Sequence, residues 1–438
     1  MKSKQGWLLA IIILAFFLRS YHLSTDLLFH RDQGLHSLSI WNIYHEKKLS
    51  LLGHPSDVDG LTHAPIYYWL MLPAYALSGG NPAMASLFQI TLEILSLPFL
   101  YLSLKKLFNS KTAFLTLIIY SISYGGVSLS RWLVNVTPIL PLTNLLLFLL
   151  AYYPKVFITS LVVGVITQLN AAIGVFLLPF LFWFYRSKFS LKTLTLILAG
   201  FLLPALPLLA FELRHNFVIT QAILAFSGQG TGLNPTVFIT NLGVLLTEIN
   251  KIVSYPYIYI SSILFIWGIF KVRNLKNSKL IYAFLLIPFI GLSLFQRGAI
   301  GFFFVSLLPL SLAVLIYGLQ ILPFKYVFLS GLIYINIIQL HNIYQPNNAL
   351  IPIGNANIIT IQDRKNIIDF MYQKANGKQF SVWFYTIPYF QEEIWDYMFN
   401  YYAEPKYGYL PEQTSGFSPN DLKTSQLFFS VWEPDEDQ

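Results

Sequence analysis

Long runs of apolar residues constrain this chain more than any other feature of its sequence. Four of these runs cover residues 7–18, 191–210, 280–295 and 300–316. The last three approach the roughly 20 residues that a helix needs to cross a bilayer. Only 11% of the residues are charged, whereas a soluble domain carries about 25%. The sequence therefore predicts an integral membrane protein that crosses the bilayer repeatedly.

Basic residues mark the ends of the apolar runs and predict how the chain is threaded. Lys2 and Lys4 place the N-terminus in the cytoplasm, because loops on that side are enriched in Lys and Arg. About 11 crossings then leave fourteen basic residues on the inner side and seven in outer loops, with no Asp or Glu in any inner loop. We expect an all-α, multi-pass plasma-membrane protein whose carboxylate chemistry lies outside or within the bundle.

Several segments depart from simple crossing helices. Residues 64–77 form a short apolar run without a basic flank, which predicts a re-entrant or interfacial helix. Residues 156–185 are interrupted near Asn170, which predicts two short helices, and the amphipathic stretch 236–252 is expected on the outer surface. Glu93 lies inside a predicted crossing helix, where a carboxylate is costly without a partner. It is expected to face a polar cavity or to be protonated.

The net charge of +8 raises the question of nucleic-acid binding. The basic residues form no single patch and instead follow the ends of apolar runs, so a nucleic-acid partner is excluded. The chain contains no Cys, which excludes disulfides and Cys-ligated metals. No small-residue cleavage site follows the first apolar run, which predicts an uncleaved signal anchor.

The C-terminal part of the chain has a different composition. Helical and strand patterns alternate over residues 363–375, 380–385, 388–400 and 426–432. We therefore predict a transmembrane domain over residues 1–341, with a first outer loop at 24–81. A small extracytoplasmic α/β domain is predicted over 342–438.

The first outer loop contains the most informative polar residues. Asp32 follows the first helix directly, beside Arg31, and His63 lies further along the loop. A carboxylate next to a cation at the membrane surface stays ionised and can accept a proton. The alternative is that Asp32 caps the amphipathic helix that follows it. Asp57 and Asp59 form an Asp-x-Asp pattern that would suit a divalent cation.

Further cations lie in other outer loops, against the usual charge bias. Arg131 is followed by Asn135, Arg214 by His215, and Arg297 precedes an aromatic run. Guanidinium groups bind phosphate well, so these residues are candidates for a phosphate site. Contacts with lipid headgroups, or with a helix C-terminal dipole at Arg214, explain them equally well.

Several motifs, taken in chain order, resemble one known group of enzymes. These motifs are Asp32-Gln33-Gly34, Gly53-His54-Pro55, Ala64-Pro65-Ile66-Tyr67-Tyr68-Trp69, Asn81-Pro82, Arg131-Trp132 with Asn135, Gln168-Leu169-Asn170 and the segment 211–217. Together they resemble the membrane-embedded glycosyltransferases of the GT-C superfamily. The likeness is to the bacterial branch of family 39, the type of the protein O-mannosyltransferases and the aminoarabinose lipid A transferases.

The resemblance implies an activity and a set of roles. Such enzymes move a sugar from a polyprenyl-phosphate donor to a protein, lipid or glycan acceptor on the outer face, with inversion. Asp32 would be the general base. The donor phosphate and substrate would be bound by Arg31, His63, Arg131, Asn135, Arg214, His215 and Arg297. The chain departs from the family at Gln33, where many relatives have Glu.

No cofactor is implied, although a divalent cation remains an option. Two other hypotheses about the function also fit the sequence. A transporter or lipid flippase would suit the many helices, but no convincing inverted repeat is present. An inactive relative that only binds lipid or organises an envelope complex would keep the fold without the chemistry.

Overall fold

The protein is mostly helical, and a computed structural model describes residues 2–56, 60–227, 232, 234–294, 298–343, 359–386, 392–415 and 427–432. The helices of the apolar part are α1 (Lys2–Ser20), α2 (Leu23–Asp26), α3 (Arg31–Glu46), α4 (Ile66–Leu77), α5 (Pro82–Leu107), α6 (Ser110–Ile122), α7 (Tyr124–Arg131), α8 (Ile139–Tyr152), α9 (Val156–Leu169), α10 (Ala171–Tyr185), α11 (Leu191–Leu202), α12 (Leu206–Arg214), α13 (Val218–Ser227), α14 (Pro235–Val253), α15 (Ile258–Val272), α16 (Ser278–Ser293), α17 (Leu308–Gln320) and α18 (Lys325–Ile343).

Four helical stretches among the described residues are long and apolar enough to cross a membrane: Pro82–Leu107, Leu191–Arg214, Pro235–Val253 and Gly301–Gln320. A fifth results if α6 and α7, which meet at a 63° bend, are counted as one crossing. Six further apolar helices within the described segments are shorter, at 10–17 residues. The polytopic architecture is confirmed, whereas the predicted count of about 11 crossings is not.

Breaks in the helices follow local sequence signals. Asn170 ends α9 and begins α10, where its side-chain oxygen accepts the N–H of Ala172 at 3.1 Å, so the predicted pair of short helices is confirmed. Ser123 separates α6 from α7 in the same way, because its hydroxyl accepts the N–H of Gly126 at 2.8 Å. These caps satisfy N–H groups that a new helix leaves without partners.

The tail contains α19 (Ile361–Ala375), β1 (Ser381–Tyr385), α20 (Glu393–Met398), α21 (Glu404–Tyr407), β2 (Glu412–Ser415) and β3 (Phe428–Trp432). The three strands form a parallel sheet in the order β2-β1-β3. Both predicted strands and the first predicted helix are confirmed. The predicted helix over 388–400 corresponds to α20 and the π-helical turn Phe399–Ala403, while its first residues lie outside the described part. β2 was not predicted.

The tail packs directly on the first loop, residues 24–81. α20 lies against α3, where a Cβ on Gly34 would come within 2.7 Å of the Ile394 Cα. The Arg364 Nε donates to the Phe29 carbonyl at 2.8 Å, and the Tyr397 hydroxyl donates to the Gly80 carbonyl. These contacts hold the first loop against the tail, so the tail supports the segment that contains Asp32. The division into domains at residues 341 and 342 stays a prediction.

Candidate functional site

The start of α3 is closed by its own side chains. His30 is the N-cap, and the Gln33 side-chain oxygen accepts the His30 N–H at 2.9 Å, which completes a capping box. Gln33 therefore stabilises the start of α3. Its side-chain amide takes the place that a Glu carboxylate would have in the capping box. Asp32 occupies the second helical position rather than the cap. It is half-buried and accepts no hydrogen bond from the described residues.

A short hairpin brings two histidines together below α3. The His63 N–H donates to the His54 carbonyl at 2.9 Å, and the Gly53 N–H donates to the His63 carbonyl at 2.8 Å. Gly53 is needed here, because a Cβ would lie 2.9 Å from the Ala64 carbonyl carbon. As a result the rings of His54 and His63 stack nearly parallel, with their centroids 6.5 Å apart.

His36 is the centre of this arrangement. It is 1% exposed, its ring centroid lies 4.8 Å from that of His54 and 4.9 Å from that of Tyr67, and neither ring nitrogen makes a hydrogen bond within the described residues. The Tyr67 hydroxyl is also buried without a partner there. Because a buried polar group costs free energy unless it is hydrogen-bonded, this cluster is suited to a polar ligand or water.

His36 connects the cluster to Asp32. The two residues are four positions apart on α3, so they share one face of the helix. Asp32 thus lies one helical turn from the buried His36. We call His36, His54 and His63, together with Asp32, the first-loop cluster.

Burial and charge both lower the pKa of His36. Removal from water is the larger cause, and the positive charges of His54 and His63 act in the same direction. The nearby Asn135 side chain opposes this shift. His36 is therefore neutral at physiological pH, and a neutral imidazole has one donor and one acceptor nitrogen.

Asn135 belongs to the same site. Its side-chain amide donates to the Leu169 carbonyl at 2.7 Å, which fixes it at the break between α9 and α10. On the other side of that break, the Asn170 amide donates to the Phe302 carbonyl at 3.2 Å. Through its proximity to His36, Asn135 joins the loop after α7 to the first-loop cluster.

Arg131 ends α7 just before this loop, and it is 3% exposed. Its backbone is held by α5. The Ser86 hydroxyl donates to the Arg131 carbonyl at 3.3 Å, and the Gln89 amide donates to the Trp132 carbonyl at 2.8 Å and to the Ser130 carbonyl at 3.3 Å. A guanidinium in such a buried place needs anionic or polar surroundings.

The remaining predicted residues do not form part of this cluster within the described residues. Arg31 is half-buried beside Asp32, and its Nε makes no hydrogen bond there. Arg214 and His215 are exposed, and the His215 ring stacks on Phe211 at 3.9 Å. Arg297, Asp57 and Asp59 lie outside the described residues. No group of three metal-ligating side chains is present in the part that the structure describes.

Sequence reasoning did not select His36 and His54 as site residues. The spacing of four between Asp32 and His36 on a predicted amphipathic helix was the available signal. His54 was visible within the Gly53-His54-Pro55 motif, but only folding of the hairpin shows that its ring lies against His36. Glu93, by contrast, was recognised as needing a partner, and that partner is Arg19.

Comparison with known proteins gives a result for fold but not for sequence. No protein-family model matches the chain, and no curated protein sequence matches it. Among solved structures, the fold is similar to those of ArnT from Cupriavidus metallidurans and of an oligosaccharyltransferase from Archaeoglobus fulgidus, which agrees at the level of fold with the resemblance seen in the sequence motifs. The exact family is not fixed by this likeness.

Three structures illustrate the match. ArnT from Cupriavidus metallidurans in the apo state has a TM-score of 0.63 and 10% identity, covering 94% of this chain and 90% of that one. ArnT from the same organism bound to undecaprenyl phosphate has a TM-score of 0.57 and 14% identity, covering 76% of this chain and 63% of that one. The apo oligosaccharyltransferase of Archaeoglobus fulgidus has a TM-score of 0.51 and 12% identity, covering 90% and 63%.

Proposed function

We propose that this protein is a glycosyltransferase of the membrane that moves a sugar from a polyprenyl-phosphate donor to an acceptor. The observation that carries the proposal is the first-loop cluster around the buried His36, whose ring nitrogens make no hydrogen bond within the described residues and which lies one helical turn from Asp32. The shared fold agrees with it, since ArnT from Cupriavidus metallidurans binds undecaprenyl phosphate. Because fold alone does not define an activity, the proposal rests on the side chains of the first-loop cluster.

Asp32 is the proposed general base. Its carboxylate takes the proton of the acceptor hydroxyl while the acceptor oxygen bonds to the sugar C1, and the bond from C1 to the phosphate oxygen of the donor breaks. The electron pair of that bond leaves on the polyprenyl phosphate, and the configuration at C1 inverts. Asp32 suits this role because the described side chains leave its oxygens available.

Cations and hydrogen-bond donors are proposed to stabilise the leaving phosphate. Arg131 is the strongest candidate, because it is buried and its loop reaches the cluster through Asn135. Arg31 is the neighbour of Asp32 in the chain. The His63 ring stacks on that of His54 in the hairpin. Preorganised donors of this kind stabilise charge that develops in the transition state. Arg214, His215 and Arg297 are kept as weaker candidates for the same phosphate.

The acceptor is proposed to be a protein, lipid or glycan on the extracytoplasmic face, with the N-terminus in the cytoplasm and the tail outside. This orientation follows from the charge distribution along the chain. We propose no organic cofactor. Whether transfer requires a divalent cation is tested by chelation of the purified protein.

The decisive experiment compares Asp32→Asn with Asp26→Asn in purified full-length protein. Both acids belong to the first outer loop, but the Asp26 carboxylate accepts a hydrogen bond from the neighbouring Thr25 hydroxyl at 2.6 Å. Transfer from a polyprenyl-phosphate sugar is expected to fall by about 100-fold or more in Asp32→Asn, the usual size of a lost general base. Asp26→Asn is expected to stay within about twofold of the parent.

Unchanged transfer in Asp32→Asn would remove Asp32 from the mechanism. A protein that carries the lipid across vesicle membranes without transferring its sugar would instead be a flippase, and the proposed function would be rejected. Binding of the donor without either activity would identify a lipid-binding scaffold.

A further inference from the structure

The most deeply buried ion pair in the described part of the bundle lies outside the proposed site. Arg19 on α1 is 0% exposed and Glu93 on α5 is 1% exposed, and the Arg19 Nε lies 3.2 Å from the Glu93 Oε1. The Tyr120 hydroxyl donates to the same carboxylate oxygen at 2.7 Å. The mechanism proposed above uses none of these groups, so their position needs a separate explanation.

Arg19 connects four helices. Its Nε also donates to the Ser130 hydroxyl at 2.9 Å, and its other nitrogens donate to the carbonyls of Ser121 at 3.0 Å and Tyr120 at 3.2 Å. The planar guanidinium offers five donors in a fixed geometry. It therefore holds the end of α6 and the last turn of α7 at defined positions relative to α1 and α5.

The last turn of α7 is the segment that presents Arg131. Ser86, Gln89 and Glu93 lie on one face of α5, at spacings of three and four residues. Ser86 and Gln89 bind the carbonyls of residues 130–132 directly. Glu93 acts on the same turn through Arg19 and the Ser130 hydroxyl. One polar face of α5 thus holds the backbone on both sides of Arg131.

We propose that Arg19 and Glu93 are positioning residues that fix Arg131 for the phosphate of the lipid donor. This inference rests on the proposed function, because it assumes that Arg131 binds that phosphate. The charge pair contributes through geometry more than through stability. Replacing a buried ion pair with apolar residues of similar volume is often neutral or stabilising. A pair that is not needed for folding, but that holds a site segment, is expected to affect binding selectively.

The experiment measures binding of undecaprenyl phosphate to the purified full-length protein in detergent, with melting temperature recorded for each variant. The double variant Arg19→Met with Glu93→Met removes both charges together, so no buried charge is left without its partner. It is expected to weaken binding by about tenfold, as suits a displaced phosphate contact, while melting within a few degrees of the parent. In transfer assays the KM for the donor is expected to rise and the KM for the acceptor to stay unchanged.

The matched control is a second buried polar pair, which joins α5 to α8. The Asn144 amide donates to the Ser96 hydroxyl at 2.8 Å, and that hydroxyl donates to the Glu93 backbone carbonyl at 2.6 Å. Within the described residues, neither side chain bonds to residues 130–132. Asn144→Leu with Ser96→Ala is expected to leave donor binding unchanged. An equal loss of binding in this control would show a general packing effect and would overturn the inference.

Two further variants keep the test decisive if the double variant does not fold. Ser130→Ala retains the charge pair and cuts only its link to α7, and it is expected to weaken binding by about threefold. Arg19→Lys retains the charge but loses the fork, and it is expected to give an intermediate loss. Parent-like affinity in Ser130→Ala would overturn the inference. A parent protein that does not bind undecaprenyl phosphate would reject the proposed function instead.

Discussion

Two segments of this protein look alike in sequence and differ in structure. The segment from His30 to Asp32, which leads into the first-loop cluster, and the segment from Glu212 to His215 each combine an acid, a cation and a histidine close to an apolar helix. By sequence both are candidates for binding a phosphate. Their hydrogen bonds separate them.

The Glu212 segment satisfies its polar groups locally. The Glu212 carboxylate accepts the N–H groups of Ile219 and Thr220, each at 2.8 Å, and the Thr220 hydroxyl at 2.6 Å. It therefore caps the start of α13. The His215 Nδ1 lies 2.8 Å from the Phe211 carbonyl, and the ring is exposed. Nothing in this arrangement requires a ligand.

The first-loop cluster has the opposite character. His36 and the Tyr67 hydroxyl are buried, and neither has a hydrogen-bond partner among the described residues. A folded protein tolerates this cost where another molecule completes the site. The comparison shows that burial without local satisfaction separates a candidate site from helix capping, even when the residue types are the same.

The largest expected effect tests this contrast at two histidines. His36→Phe keeps an aromatic ring of similar size and removes both nitrogens, so transfer is expected to fall by about 100-fold if those nitrogens orient substrate or the Asp32 carboxylate. His215→Phe is expected to lose at most about twofold, because His215 is one of the weaker phosphate candidates and its ring is exposed to solvent. Transfer rates and melting temperatures of the two variants are measured under the same conditions. Equal losses of transfer would show that the two histidines do not differ in the way proposed.

Acid provides a second test, because the pKa of His36 is held below its usual value by burial and by the neighbouring histidines. The unfolded chain then binds the proton more strongly than the folded one. The contribution of His36 to stability is fully present above about pH 6.5 and is lost as the pH falls below that value. The titratable groups around the ring are His54, His63, Tyr67 and Tyr68, and Asp32 lies one turn earlier on the same helix.

The melting temperature of the parent is therefore expected to fall as the pH is lowered from 7 to 5.5. His36→Gln cannot take up this proton and is expected to lose less over the same range. His215→Gln, at an exposed position, is the control and is expected to follow the parent. Identical slopes for the parent and His36→Gln would show that protonation of His36 does not limit stability.

Much of the fold could be predicted from the sequence because the signals are local. Apolar length gives the helices, and Asn170 marks the break between α9 and α10 because its side chain caps the second helix. The periodicity of residues 363–375 similarly gave α19. The number of crossings could not be predicted in this way, because several apolar helices are too short for length and composition to decide.

The site was harder to predict because its parts are distant in the chain. Asp32 and His63 are recognisable near the motifs of the first loop, but the contacts of His36 with His54 and Asn135 depend on a hairpin and on the loop after α7. The Arg19–Glu93 pair joins residues 74 positions apart. Sequence indicated that Glu93 needed a partner, and only packing of α1 on α5 supplies it.

The smallest expected effect concerns Glu212. Glu212→Ala removes the acceptor for the first N–H groups of α13, and loss of a helix cap costs about 0.5–2 kcal/mol. The amides of Ile219 and Thr220 are expected to exchange faster with solvent, while transfer stays within about twofold. Glu212→Gln, which keeps one acceptor oxygen, is expected to restore part of the protection. A loss of transfer as large as that of His36→Phe would place this segment in the site, and local satisfaction would no longer distinguish the two regions.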